Sequence, residues 1–253
     1  MLIHRIHLIR NNRFVVREYN PSAPQAIVLV HGHDRDGADF AEVAADLSRD
    51  FRVIIPDLRF HGLSDATLFD HPAGIADLAQ DLHGLMAALD IAQPAILHGH
   101  SLGGMIALDY WRQYPGSVKA LIIDDAFPHF VEGMRMFDLF APTVDLAVQA
   151  RINAKSFANA AAGRVPASVW DSILAFDARP WLPTINVPTL ALLGDRGWVD
   201  ATKLPDVLDA IGTALIPGVR VEMFAHCGHF IALEQSAQWC AAVRHFLDQC
   251  GLH

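Results

Sequence analysis

Polar and apolar residues alternate in two stretches near the start of the chain, residues 3–9 and 13–19. That period of two predicts an opening antiparallel pair of strands. The alternation then gives way to short, wholly apolar runs. Ala26–Val30 and Arg52–Pro56 are β-branched and have the composition of strands covered on both faces, with an amphipathic stretch at 39–47 between them. Residues 74–89 place Ile75, Leu78, Ala79, Leu82, Leu85, Met86 and Leu89 at the spacing of one helix face. A strand at 95–98, a helix at 102–114 and a strand at 120–123 follow. The pattern resumes with strands at 189–193 and Arg220–Phe224 and helices at 201–211 and 231–247. Such alternation requires right-handed crossovers, a mostly parallel central sheet and helices on both faces, an α/β fold.

Residues 127–186 interrupt the rhythm. Pro128, Pro142, Pro166, Pro180 and Pro183 punctuate short helical stretches at 145–159 and 167–176. We expect a small helical cap here, inserted between core segments 1–126 and 187–253. It would lie over the C-terminal edge of the sheet, where open α/β sheets bind ligands. Phe130, Met134, Met136, Phe137, Leu139, Phe140, Trp170, Phe176 and Trp181 are expected mainly to pack the cap onto the core. A few facing inward would favour an apolar or aromatic substrate.

One stretch in this frame carries chemistry. Gly99-His100-Ser101-Leu102-Gly103 sits where an apolar strand meets a helix. A sharp turn there projects the serine hydroxyl above the sheet edge, and side chains in place of the glycines would collide with the neighbouring strand and helix. The plain alternative is a glycine-rich turn with an idle serine. A serine hydroxyl is a weak nucleophile until a base removes its proton, and imidazole is the usual base. Of the 14 histidines, His229 is the candidate. It lies in His226-Cys227-Gly228-His229-Phe230, in a loop between the last strand and the final helix, whereas His226, nearer the strand end, is read as structural.

The imidazole needs a carboxylate to fix its tautomer and offset its charge. Asp195, at the end of the strand at 189–193, is the expected partner, and the order Ser101, Asp195, His229 suits the fold. Asp124 and Asp125, which end the strand after the serine, are the alternatives. The oxyanion of a tetrahedral intermediate would be met by the backbone N–H groups of His33, in the His31-Gly32-His33-Asp34 loop, and of Leu102 at a helix start. The His33 side chain either lines the pocket or bonds within its loop.

Composition narrows the setting. A chain of 253 residues, 52% of them apolar, can bury one substantial core. Its longest apolar runs are strand-sized, and Met1-Leu2-Ile3-His4-Arg5 lacks the apolar segment of a signal peptide. Cys227, Cys240 and Cys250 are odd in number and unevenly spaced, so a cytoplasmic protein without a disulfide framework is expected. A net charge of −9 argues against a nucleic-acid partner or an anionic membrane surface and leaves a small-molecule substrate as the expected partner. The oligomeric state stays open. His31-x-His33 and His226-x-x-His229 lack the further ligands of a metal site, so neither metal nor organic cofactor is expected.

With these pieces placed, the chain resembles the α/β-hydrolase fold superfamily over nearly its whole length. The matching segments are His31-Gly32, Pro56-Asp57-Leu58-Arg59-Phe60-His61-Gly62-Leu63-Ser64, residues 99–104, Gly194-Asp195 and Gly228-His229. Phe60 stands where the family usually has glycine. The resemblance implies a serine hydrolase cleaving a carboxylic ester, lactone or thioester with an apolar or aromatic acyl group, through an acyl-enzyme formed on Ser101. Residues 50–64 are also similar to the cofactor-independent quinolone-ring dioxygenases. That likeness implies an alternative, ring cleavage of an aromatic heterocycle with His229 and Asp124. A hydrolase-derived ligand sensor is a third reading.

Overall fold

The computed structural model describes residues 2–91, 94–137, 146–197 and 204–252. Leu139, Phe140 and Pro142 of the expected cap, the first residue of the stretch at 145–159, and the first three of that at 201–211 lie outside them.

An eight-stranded sheet runs in the order β1-β2-β4-β3-β5-β6-β7-β8. Strands β1 (Leu2–Ile9) and β2 (Asn12–Tyr19) form the antiparallel opening pair, joined through Arg10 and Asn11, both at positive φ as a two-residue hairpin turn requires. Strand β2 also pairs antiparallel with β4 (Arg52–Pro56). From there β3 (Ala26–Val30), β5 (Ala95–His100), β6 (Val118–Asp124), β7 (Thr189–Gly194) and β8 (Arg220–Phe224) are parallel.

The apolar runs have a simple cause. Val28, Val30, Leu97, Leu121 and Ile123 pack on one face of the sheet, and Ile27, Leu29, Ile96, Ala120 and Ile122 pack on the other. With helices covering both faces, neither side of these strands can be polar. Helices α2 (Ile75–Ala88) and α3 (Leu102–Gln113) cover the first face, while α1 (Ala41–Leu47) packs with α9 (Ser236–Gln249) on the second. The helix expected at 231–247 breaks at Gln235 into α8 (Ile231–Glu234) and α9.

Between β6 and β7 lie α4 (Phe130–Met136), α5 (Leu146–Ala161) and α6 (Ala167–Leu174), and α7 (Leu204–Ile211) follows β7. Ile152 is the fully buried residue of α5. Polar ties therefore hold this helix to the loop after β3. Arg35 Nη1 donates to the Ile152 carbonyl (3.0 Å) and to Ser156 Oγ (2.9 Å), and Asn159 Nδ2 donates to the Asp34 carbonyl at 2.7 Å. Lys155 pairs with Asp36 and Asp39, each at 2.7 Å.

The loop after β4 is organised around the Asp57 carboxylate. It accepts the N–H groups of Gly37 and Leu63 at 2.8 Å and pairs with Arg17 at 2.5 Å. Phe60, in place of the family's glycine, holds φ at +71°, a region that disfavours side chains, yet its ring is 1% exposed. Removing that ring should cost more than relaxing the backbone returns, about 3–5 kcal/mol against about 1–2. We expect Phe60→Gly to lower the unfolding free energy by roughly 2–3 kcal/mol in urea titration, and a stabilised variant would refute this balance.

Candidate active site

Strand β5 ends at His100, and Ser101 turns into α3 with φ +53° and ψ −119°. A Cβ at residue 99 would enter the backbone of Gly103, and one at 103 would strike the carbonyl of Val30. The two glycines let helix and strands approach closely enough to form the elbow. Ser101 N–H donates to the Asp124 carbonyl at 3.0 Å, tying the turn to the end of β6. The serine opens onto a cavity of about 460 Å³ whose lining includes Gly32, His33, Arg35, Leu102 and His229.

His229 reaches that cavity on the loop after β8. Its Nδ1–H donates to Asp125 Oδ2 at 2.6 Å, leaving Nε2 as the acceptor, as a general base requires. Asp125 follows β6 at φ +44° and is 1% exposed; its other oxygen accepts the N–H of Gly194 at 3.2 Å. The expectation that Asp195 partners His229 is therefore corrected. Asp195 Oδ1 accepts the N–H of Cys227 at 3.1 Å and serves the histidine loop through its backbone. Asp124 does not meet His229 either. Still in register as a strand residue, it points to the opposite face, where it is bonded to His98 Nε2 at 2.9 Å and Trp239 Nε1 at 2.8 Å.

The histidine loop is fixed from both sides. The Glu234 carboxylate turns back to accept the N–H groups of Gly228 (2.8 Å) and Phe230 (3.1 Å), at the break between α8 and α9. His100 Nε2–H donates to the His229 carbonyl at 2.8 Å, and the two rings lie 4.6 Å apart. His226, the sequence competitor, is exposed.

His33 and Leu102 both line the cavity, and among the described residues the backbone N–H of neither has a protein acceptor. His31 braces the first of them. It donates from Nδ1–H to the Gly32 carbonyl at 2.8 Å and accepts Leu58 N–H on Nε2 at 3.0 Å. The His33 side chain does both things the sequence allowed, lining the cavity and lying 3.1 Å from Asp34.

Electrostatics follow from burial. Desolvation pushes the His229 imidazole down to about 4, opposed by the charge of Asp124 and assisted by Arg35. Burial also lowers His100 to about 4, with His229 as the next cause. Burial raises the Asp125 carboxyl well above its usual range, and neighbouring Asp124 adds to this. Burial opposes ionisation of Asp124, but the hydrogen bond from His98 and its charge hold that carboxyl low.

Among the described residues, no three His, Cys, Asp or Glu side chains are placed to hold a metal ion, and no helix is long and apolar enough to cross a membrane. Three residues of the site escaped the sequence reading. These are Arg35, His100 and Glu234. An acidic residue five positions after His229 in a helical stretch was the available signal for the last.

Residues 25–168, more than half of the chain, match the family model of the alpha/beta hydrolase fold. An uncharacterised protein of Mycobacterium tuberculosis is 29% identical over 88% of this chain and 75% of its own length. Lipase 3 of a Moraxella species is 25% identical over 92% of this chain and 80% of its own. Among solved structures, a thermophilic esterase from Thermogutta terrifontis superposes with a TM-score of 0.77 at 22% identity, covering 98% of each chain. The enol-lactonase from Burkholderia xenovorans gives 0.76 at 20%, covering 96% of this chain and all of that one. The chain is an enzyme of the alpha/beta hydrolase fold family.

Proposed function

We propose that the protein hydrolyses a carboxylic ester, lactone or thioester through an acyl-enzyme, with Ser101, His229 and Asp125 as its triad. The observation that carries this reading is the His229–Asp125 pair at 2.6 Å, lining the same cavity as a serine held at φ +53°. The names of relatives, lipase and esterase among them, support the choice of acyl transfer.

Ser101 Oγ attacks the carbonyl carbon while its proton passes to His229 Nε2. The carbonyl π pair moves to oxygen, where the N–H groups of His33 and Leu102 receive the charge. Collapse breaks the bond to the leaving group, which takes the proton from His229. Water, deprotonated by the same nitrogen, then attacks the acyl carbon, and the second collapse returns Ser101 its proton and frees the acid. Asp125 keeps Nε2 turned to the serine and offsets the charge of the transient imidazolium.

One observation favours the dioxygenase as a second reading. The carboxylate on His229 comes from the end of β6, the strand that likeness implies, although from Asp125 in place of Asp124. Oxygen uptake with a hydroxyquinolone, surviving Ser101→Ala, would establish it over ester hydrolysis.

Three outcomes are expected. Ser101→Ala should lower kcat on a p-nitrophenyl ester by about a thousandfold or more with the melting temperature retained, and near-normal turnover would remove the assignment. Asp125→Asn should cost about 10³–10⁴ in kcat, whereas Asp195→Asn should cost less than about tenfold. Equal losses in the two variants would return Asp195 to consideration. Because the base is active only when neutral, kcat/KM should fall as pH drops through about 4, the lowered value of His229. An acid limb near the ordinary histidine value of about 6.5 would contradict the described burial of this ring.

A further inference from the structure

The wall of the cavity formed by α5 is not what an apolar substrate calls for. Gln149, Ile152, Asn153 and Ser156 recur at the spacing of a single helix face, and that face borders the cavity. Phe157 of the same helix lines it as well, so three of its five lining residues are polar. The apolar part of the lining includes Met105, Phe130, Trp170 and Ile173.

The polar side offers donors. Arg35, 2% exposed, uses Nε on Asp39 at 2.6 Å and Nη1 on α5, while its Nη2 has no protein acceptor among the described residues. Asn153 Oδ1 is occupied by Gln149 Nε2 at 2.8 Å, which leaves its Nδ2 as the group to offer. Nothing here calls for a charged ligand. The cations Arg35 and Lys155 are matched locally by the carboxylates of Asp36 and Asp39. Arg35 is the buried donor and Asn153 an exposed one, and a neutral oxygen satisfies the first without adding an unbalanced charge.

Position tells which part of the substrate bears that oxygen. The Arg35 guanidinium lies 4.9 Å over the ring of Phe230, the residue after His229, and His229 is the group that protonates the leaving alcohol. We infer that the substrate carries a second, uncharged carbonyl, ketone or amide, on its alcohol side, and that Arg35 and Asn153 recognise it as specificity-determining residues. This rests on the hydrolase reading above and narrows its substrate class. The acyl chain lies against the apolar wall, and the alcohol half lies along α5.

Paired hexanoate esters test this. One has 5-hydroxypentan-2-one as its alcohol, and the other has 4-methylpentan-1-ol, which replaces the C=O by CH–CH₃ at nearly the same size. The wild-type enzyme should favour the ketone in kcat/KM by about ten- to a hundredfold, the range of a hydrogen bond to a charged donor. Calorimetry on Ser101→Ala should show the same preference in Kd. The ratio should fall towards one in Asn153→Leu and in Arg35→Met, and Asn153→Leu decides the matter if Arg35→Met loosens the cap. A ratio near one in the wild type, or one that survives Asn153→Leu, overturns the inference. Equal cleavage of both esters leaves the hydrolase reading standing and removes this one. Preferential binding of the ketone by Ser101→Ala, with neither ester cleaved by the wild type, does the reverse.

Discussion

The last residue of β6 and the one after it hold the site together. Asp124 is still strand: its carbonyl accepts the N–H of Ser101, and its side chain is locked by His98 and Trp239 on the far face of the sheet. Asp125 has left the strand at positive φ, and its carboxylate turns up to His229. One peptide unit thus sets the height of Ser101 and the position of His229. A small rotation of this unit would misplace both, and the buried hydrogen bonds on Asp124 oppose that rotation. Each is worth on the order of 1–3 kcal/mol in such a setting, because breaking one leaves a buried polar group without a partner.

Most of this architecture was legible in the sequence because the determinants are local. Alternation marked β1 and β2, unbroken β-branched runs marked the strands covered on both faces, and glycine spacing marked the elbow. The place of His229 was legible as well, since it stands shortly before a helix in the loop after the last strand. The carboxylate was not. Strands β6 and β7 are neighbours that end at the same edge, and each is followed at once by an aspartate, so position alone cannot separate Asp125 from Asp195. What separates them is backbone conformation. The φ of +44° aims Asp125 at the histidine, and the close approach of residues 227 and 228 to Gly194 turns Asp195 onto the Cys227 amide. Neither leaves a mark in composition or spacing.

Phe60 shows how far a family pattern can bend without losing the loop it describes. The backbone there retains the left-handed conformation that glycine adopts freely, and a phenylalanine is forced into it because its ring gains more from burial than the backbone loses. Loop shape is set elsewhere, by Asp57 gathering Gly37, Leu63 and Arg17. A carboxylate with several fixed donors tolerates a change of side chain nearby.

Cap and oxyanion loop are joined through the same residues. Helix α5 buries little apolar surface, so its place depends on Arg35, Lys155 and Asn159 and their partners between Asp34 and Asp39. The ion pairs of Lys155 are only part-buried, whereas the guanidinium of Arg35 is fully buried and is the stronger tie. Arg35 lies two residues after His33, whose amide we propose as an oxyanion donor. A group that draws on the remaining donor of Arg35 therefore acts on the stretch of chain that fixes that amide. On the proposed reading, recognition at α5 and charge stabilisation at Ser101 are coupled through a two-residue span, which gives the polar face of the cap a reason to exist beyond covering the cavity.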